Sequence, residues 1–341
     1  MDYKKRGVLL VNLGSPESPS TKDVRVYLRE FLMDERVIDV PYLLRKFLIE
    51  CIILPTRPKK SAEAYRSIWW DEGSPLIVLS ERLKARLQPK VQSDIELGMR
   101  YGKMSIESGI DKLVKRNPGI ETIHLVPLYP HYAMSSYETV VVKAEEIMAE
   151  KYPELRLETL APFYKDESYI SALSKSIEKH LEADYDHILF SYHGIPERHV
   201  KKSDVTGEHC LKCENCCEVK SEAHANCYRH QVFETTKAVA KQLHLDPDKF
   251  SVSFQSRLGK DPWLRPFTDK EIIRFAEEGK KKLVIVCPAF VSDCLETIEE
   301  IGMEAKHEFL EAGGEQFTLV PCLNTDEQWV DTLANWCNQA K

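Results

Sequence analysis

Short apolar runs alternate along the chain with segments whose apolar side chains recur every three to four residues, a pattern that predicts strands interleaved with helices. Residues 7–13, 94–100, 122–127 and 155–160 read as strands, with helices over 21–32, 80–90 and 137–151 between them. The alternation then recurs. Strands over 187–191, 250–255, 283–288 and 317–320 are interleaved with helices over 167–183, 231–243, 269–279 and 292–312. Strands joined through helices imply βαβ units and parallel pairing. The prediction is an α/β chain of two similar lobes, each a mainly parallel four-stranded sheet flanked by helices, with a cleft between them. The boundary falls at Ala161-Pro162-Phe163, giving lobes of residues 1–161 and 162–314. The strand and helix of residues 315–341 are expected to pack back on the first lobe.

Composition narrows the class. At 341 residues and 43% hydrophobic content the chain can bury two cores of ordinary domain size. A formal net charge of −7 argues against general nucleic-acid binding, which needs a strongly basic face. The amino terminus passes through Lys4-Lys5-Arg6 into an apolar run too short for a signal peptide, and the most apolar region, residues 47–55, is broken by Glu50 and is too short to span a bilayer. A cytoplasmic protein acting on small ligands is expected. The first strand ends in Asn12-Leu13-Gly14-Ser15-Pro16, without the further glycines that a pyrophosphate-cradling turn requires. Neither a phosphate-binding loop ending in Lys-Ser/Thr nor a nucleophile elbow is present, so phosphoryl transfer and serine hydrolysis have no visible machinery.

Two segments stand out chemically. Ser191-Tyr192-His193-Gly194-Ile195-Pro196 and Ser292-Asp293-Cys294-Leu295-Glu296-Thr297-Ile298-Glu299-Glu300 each follow an apolar run, so a histidine and a carboxylate emerge at carboxyl ends of strands, where open α/β sheets bind ligands. Most isolated histidines are structural, but Gly194 and Pro196 set His193 in a turn at a strand end. A neutral imidazole facing an acid can bind a divalent metal or accept the protons that metal displaces. In a helix beginning near Ser292, Asp293, Glu296 and Glu300 share one face. Acids in a first turn also favour the helix dipole, which explains Glu299 and Glu300 as solvent-facing residues; Leu295 and Ile298 would draw Glu296 towards the cleft.

Of ten cysteines, Cys210, Cys213, Cys216, Cys217 and Cys227 fall in one polar stretch, spaced C-x2-C-x2-C-C-x9-C. In a reducing compartment such thiols select zinc or an iron–sulfur cluster, and His209 or His224 could replace one of them.

The chain resembles the ferrochelatases. The likeness is carried by Ser191-Tyr192-His193-Gly194-Ile195-Pro196, by Phe254-Gln255-Ser256-Arg257 with Pro262-Trp263-Leu264, and by Pro288-Ala289-Phe290-Val291-Ser292-Asp293-Cys294-Leu295-Glu296-Thr297. Tyr65-Arg66-Ser67-Ile68, Gly73-Ser74-Pro75, Gly98-Met99-Arg100-Tyr101 and Leu128-Tyr129-Pro130 extend it over nearly the whole chain. It implies two Rossmann-like lobes of the chelatase type and insertion of ferrous iron into a porphyrin with release of two protons. His193 is then the proton acceptor or iron ligand. Glu296 faces it across the macrocycle, imidazole and acid coming from different lobes. Asp293 and Glu300 would extend a path for iron or protons. Tyr65, Arg100 and Trp263 match pocket positions, Arg100 suiting a propionate, although Tyr65 and Trp263 read equally well as core aromatics.

Two departures bear on the substrate and the site. Leu13 stands where the coproporphyrin-using branch carries tyrosine, so the resemblance points to protoporphyrin IX rather than coproporphyrin III. Cys294 stands where animal-type members carry histidine. Residues 205–229 form an insertion, and family members with a [2Fe–2S] cluster imply one here on Cys210, Cys213, Cys216 and Cys227, with Cys217 as alternative to Cys216 and zinc as alternative to the cluster. The apolar positions of residues 31–54, followed by Arg57, Lys59 and Lys60, read mostly as core; in the family this region is a lip over the porphyrin that rests peripherally on a membrane, where an upstream porphyrin-producing enzyme could deliver substrate. The alternatives are a coproporphyrin ferrochelatase, a cobalt-inserting chelatase, and a non-catalytic haem- or iron-binding redox sensor. A pure binding module needs no proton acceptor opposed by a carboxylate.

Overall fold

A computed structural model describes residues 5–339 apart from 183, 258 and 260, so the end of the helix expected over 167–183 lies outside the described residues. The chain forms two compact units. The first takes in residues up to Leu128, Met134–Ala161 and the chain from Val330; the second takes in Tyr129–Ala133 and Pro162–Trp329.

In the first unit, strands β1 (Arg6–Asn12), β2 (Asp94–Met99), β3 (Thr122–Pro127) and β4 (Arg156–Thr159) form one sheet in the order β2-β1-β3-β4. In the second, β5 (His187–His193), β6 (Phe250–Gln255), β7 (Lys282–Val286) and β8 (Gln316–Leu319) pair in the order β6-β5-β7-β8. Every strand pair is parallel. The second-first-third-fourth order occurs twice, which gives the two units the same topology. β1 and β3 are buried along their whole length, as expected of central parallel strands covered on both faces, whereas β4 at a sheet edge is only partly covered.

Local chemistry sets the helix boundaries. Ser20, Ser105 and Asp166 accept hydrogen bonds from the first-turn amides of the helices Thr21–Met33, Ile106–Arg116 and Glu167–Glu178. Pro75 opens the helix Pro75–Leu87 five residues earlier than expected, because a proline at the first helical position loses no hydrogen bond there. In the second unit, Leu189, Ile285, Phe275 and Phe309 pack between sheet and helices in a core closed to solvent.

The terminal segment divides. β8 joins the second sheet beside β7, with Leu283 opposite Phe317, because its apolar residues complete that sheet's buried face. The expectation that residues 315–341 pack together on the first unit is corrected for this strand. The helix Glu327–Asn338 does bond to the first unit: Lys90 pairs with Asp331 at 2.5 Å, and the Asn338 amide donates to the Lys90 carbonyl at 2.8 Å.

Residues 31–60 depart from the reading as core. Leu32, Ile49 and Leu54 are buried, but Tyr42, Leu43, Leu44, Phe47 and Ile52 are exposed, Leu43 to 79%. They lie on the helix Tyr42–Phe47 and the π-helical stretch Leu48–Ile53. Among the described residues no helix is long and apolar enough to cross a membrane.

Candidate active site

The strand order of the second sheet reverses between β5 and β7, which pair directly, Phe190 lying opposite Val286. Strand ends at such a reversal leave the crevice in which α/β sheets bind ligands. β5 ends on His193, and the chain leaving β7 enters the π-helical stretch Glu296–Ala305 at Glu296. The two side chains are close enough for the Glu296 charge to act on the imidazole. Both belong to the second unit, which corrects the expectation that they come from different lobes. The physical reason is the pairing of β5 with β7: adjacent strands of one sheet deliver both residues to one edge.

His193 is held at three points. Its Nδ1 lies 2.7 Å from the Gly194 carbonyl oxygen, an obligate acceptor, so Nδ1 carries the proton and Nε2 keeps its lone pair. Tyr228 Oη donates to the His193 carbonyl at 2.8 Å, and the next amide, Gly194 N–H, donates to the Gln255 carbonyl at 2.7 Å. Residue 194 must be glycine, since a Cβ there would stand 2.8 Å from the Gln255 carbonyl oxygen and 3.4 Å from the Trp263 ring. Trp263 thus flanks the histidine turn, its backbone bridged to Pro196. Burial pushes the imidazole below the ordinary histidine range, while the Glu296 charge and the Gly194 carbonyl pull it back up. The ring is therefore neutral at pH 7, the form needed to accept a proton.

The acidic segment differs from the expected helix over 292–312. Residues 288–294 are loop, and the wide-turned π-helix starts at Glu296. Asp293 therefore leaves the shared face. Its carboxylate accepts from Thr297 Oγ1 at 2.9 Å, Asn324 Nδ2 at 2.6 Å and the Cys322 amide at 3.3 Å, so it anchors the loop instead of lining an open path. Glu300 is half-buried and accepts from Ser256 Oγ, which corrects its reading as a solvent-facing acid. Burial, then the Glu296 charge, push its carboxyl up to about 7, with Ser256 working the other way. Beyond it, Ser256, Arg257, Asp269, Glu300, Glu304 and Glu308 help line a cavity of about 250 Å³. The arrangement offers a neutral base, an adjacent carboxylate, and a second carboxyl that titrates near neutrality.

Arg100 and Tyr65 lie in the first unit and are engaged there. Arg100 Nη2 pairs with Asp34 at 2.5 Å and its Nε donates to Thr139 Oγ1 at 2.7 Å, while Tyr101 Oη donates to Asp34 at 2.9 Å. Burial works to raise the Asp34 carboxyl, but the hydrogen bonds of Thr139, the Arg36 amide and Tyr101, with the Arg100 charge, keep it below the usual carboxylate range. The guanidinium is thus committed to a buried partner, in place of the open fork expected for a propionate. Tyr65 is buried edge-on between Tyr27 and Trp69, which favours its reading as a core aromatic.

The cysteine-rich insertion is an irregular knuckle. Asp204 anchors it, accepting from the amides of Thr206, His209 and Cys210. Cys210, Cys216, Cys217 and Cys227 are buried, whereas Cys213 is exposed. The Cys227 thiol acts on the titration of both Cys210 and Cys217, and Cys216 on that of Cys217, so the four buried sulfurs are near neighbours. Leu211, held at φ 60°, points its amide at Cys216 Sγ from 3.4 Å, and Arg229 reaches both the Cys216 and Cys217 sulfurs. Donors aimed at sulfur suit thiolates. Burial pushes Cys210 up to about 11, and the Cys227 contact with burial pushes Cys217 higher still. His209 and His224 direct Nε2 to the Cys216 carbonyl, at 2.6 and 3.0 Å, so those nitrogens serve the backbone and not a metal. The donor types and burial fit a thiolate-held group. Among the described residues, however, no three His, Cys, Asp or Glu donors are arranged as a closed metal site.

Gln255, Ser256 and Tyr228 acquire roles that the sequence reading missed. The first two sit in the Phe254-Gln255-Ser256-Arg257 motif, a signal that was present without an assigned job. Tyr228 carries no sequence signal beyond following Cys227.

A family model described as Ferrochelatase matches residues 5–341. A ferrochelatase from Pseudomonas fluorescens (strain Pf0-1) is 50% identical over 335 residues, covering 98% of this chain and 97% of its own. One from Opitutus terrae is 50% identical over 333 residues, covering 97% and 96%. Among solved structures, SirB from Bacillus subtilis with Fe3+ superposes with a TM-score of 0.53 at 13% identity, covering 97% of this chain and 93% of its own, a likeness of fold.

Proposed function

The chain belongs to the ferrochelatase family and inserts ferrous iron into a porphyrin for haem synthesis, and on that premise we propose that the porphyrin is protoporphyrin IX and that His193 and Glu296 carry the exchange. The observation that carries the assignment is the Nδ1 bond to Gly194, which leaves the Nε2 lone pair free beside Glu296. Insertion exchanges one ferrous ion for two pyrrole protons, so the reaction needs a base near the macrocycle and a route by which protons leave. His193 Nε2 accepts the two pyrrole protons in turn, giving up the first before taking the second. The Glu296 carboxylate stabilises the imidazolium that results, and Glu300, poised near neutrality, passes protons towards the acidic cavity. The same row of carboxylates can lead iron inward. Asp293 fixes the start of that row and Trp263 offers a ring beside the histidine turn, while Tyr65 and Arg100 serve the packing of the first unit.

Leu13, half-buried at the end of β1, supports protoporphyrin IX because an apolar side chain gives iron no ligand and suits a less charged macrocycle. Anaerobic incubation with ferrous iron and each porphyrin should convert protoporphyrin IX at least about tenfold faster than coproporphyrin III. The reverse preference would assign the chain to the coproporphyrin-using branch. The exposed Tyr42, Leu43, Leu44, Phe47 and Ile52, with Lys46 and the basic Arg57, Lys59 and Lys60 nearby in sequence, support peripheral contact with a membrane surface.

We place a [2Fe–2S] cluster on Cys210, Cys216, Cys217 and Cys227, with Cys217 taking the position first given to Cys213. Such a group would supply a redox-responsive tie in the knuckle that holds Tyr228 against His193. Cys217→Ser is expected to abolish visible charge-transfer absorption and bound iron, and Cys213→Ser to retain both. The opposite pattern would restore Cys213 to the ligand set, and colourless zinc-containing protein would replace the cluster with zinc.

A further inference from the structure

The side-chain amide of Gln255 joins the two halves of the site. Gln255 is buried at the end of β6, directly opposite His193 in the sheet register. Its carbonyl oxygen accepts the Gly194 amide, its Oε1 accepts from Ser191 Oγ at 2.8 Å, and its Nε2 donates to the Glu296 carbonyl at 2.9 Å. One residue therefore grips the histidine turn through its main chain and the first residue of the acidic helix through its amide. Ser191 is itself fixed by Thr268 at 2.9 Å, and Thr268 by Ser253 at 2.8 Å, so Oε1 is held by a buried hydroxyl network and Nε2 is left facing Glu296. The next residue, Ser256, adopts a positive φ of 61° and bonds to Glu300, one turn further along the same helix.

We propose that Gln255 is the positioning residue that sets Glu296 against His193 during metal insertion. This rests on the assignment of Glu296 as the acid of the reaction. An amide suits the task because it offers a donor and an acceptor at fixed separation; a methionine of the same length keeps the packing and neither bond, and an ionised glutamate keeps the shape and Oε1 but loses the donor. Misplacing a reacting group by a fraction of an ångström reduces turnover without altering the surface that binds substrate.

The test is a double-mutant cycle in anaerobic iron-insertion assays with protoporphyrin IX. Gln255→Met and Gln255→Glu are each expected to lower kcat by about tenfold with KM for porphyrin unchanged, and to lower it less than about twofold further in a Glu296→Gln background. Wild-type kcat in both variants, a loss confined to KM, or an equal loss in both backgrounds would overturn the proposal. If Gln255→Met does not give a wild-type circular-dichroism melt, the decision rests on Gln255→Glu, which preserves the shape. If Glu296→Gln itself turns over at the wild-type rate, the assignment of the acid falls and this inference with it. If Glu296→Gln is impaired and both Gln255 variants are not, only the role of Gln255 is refuted.

Discussion

Replacing His193 by alanine is expected to lower iron insertion by about a thousandfold while leaving porphyrin binding, read by fluorescence quenching, within about twofold of wild type. The asymmetry follows from the bonding of the ring. His193 uses Nδ1 on its own turn, and among the described residues no hydrogen bond runs through Nε2, so truncating the ring is expected to remove a base without removing a support. The strand end survives because its main chain is tied to Tyr228 and its successor to Gln255. A His193→Ala enzyme that inserts iron at the wild-type rate would remove the histidine from the chemistry. A variant that fails to bind porphyrin would instead make it part of the binding surface.

Glu296→Gln is expected to lower kcat by about a hundredfold and to move the acid limb of the pH profile to lower pH. The direction follows from the charges. Burial depresses the His193 pKa, and the Glu296 carboxylate is the larger of the two influences that raise it. Removing that charge lets the imidazole pKa fall further, so the base stays neutral to lower pH even though each turnover is slower. Glu300 responds in the same sense, since the Glu296 charge is the second cause, after burial, of its raised pKa. An acid limb that moves up, or stays in place, would mean that Glu296 does not act on His193.

The sequence made the fold legible where burial is continuous. β1, β5 and β7 are each built around a short apolar run because they are buried along nearly their whole length, and such runs can be read directly from the chain. The site was legible as residues and illegible as geometry. His193 and Glu296 stand out from strand-end positions alone, yet their origin in one sheet depends on β5 pairing with β7 across an intervening strand and three α-helices, which no local pattern encodes. Ser292 and Asp293 looked like a helix start because acids favour first turns; the partners that hold Asp293 in a loop, Asn324 and Cys322, lie about thirty residues downstream. Arg100 looked available because Asp34 is 66 residues away. Cysteine spacing gave the set of thiols but not their directions, which depend on backbone turns such as the positive φ of Leu211.

The pairing of His193 with Glu296 on one sheet edge is tested most directly by anaerobic single-turnover metalation of prebound porphyrin in His193→Ala, Glu296→Gln and the double variant. Residues that act as a unit give losses that do not multiply, so the double variant should be no slower than His193→Ala alone within about threefold. Losses that multiply to the product of the two single effects would show that the imidazole and the carboxylate act independently, and would contradict a paired site.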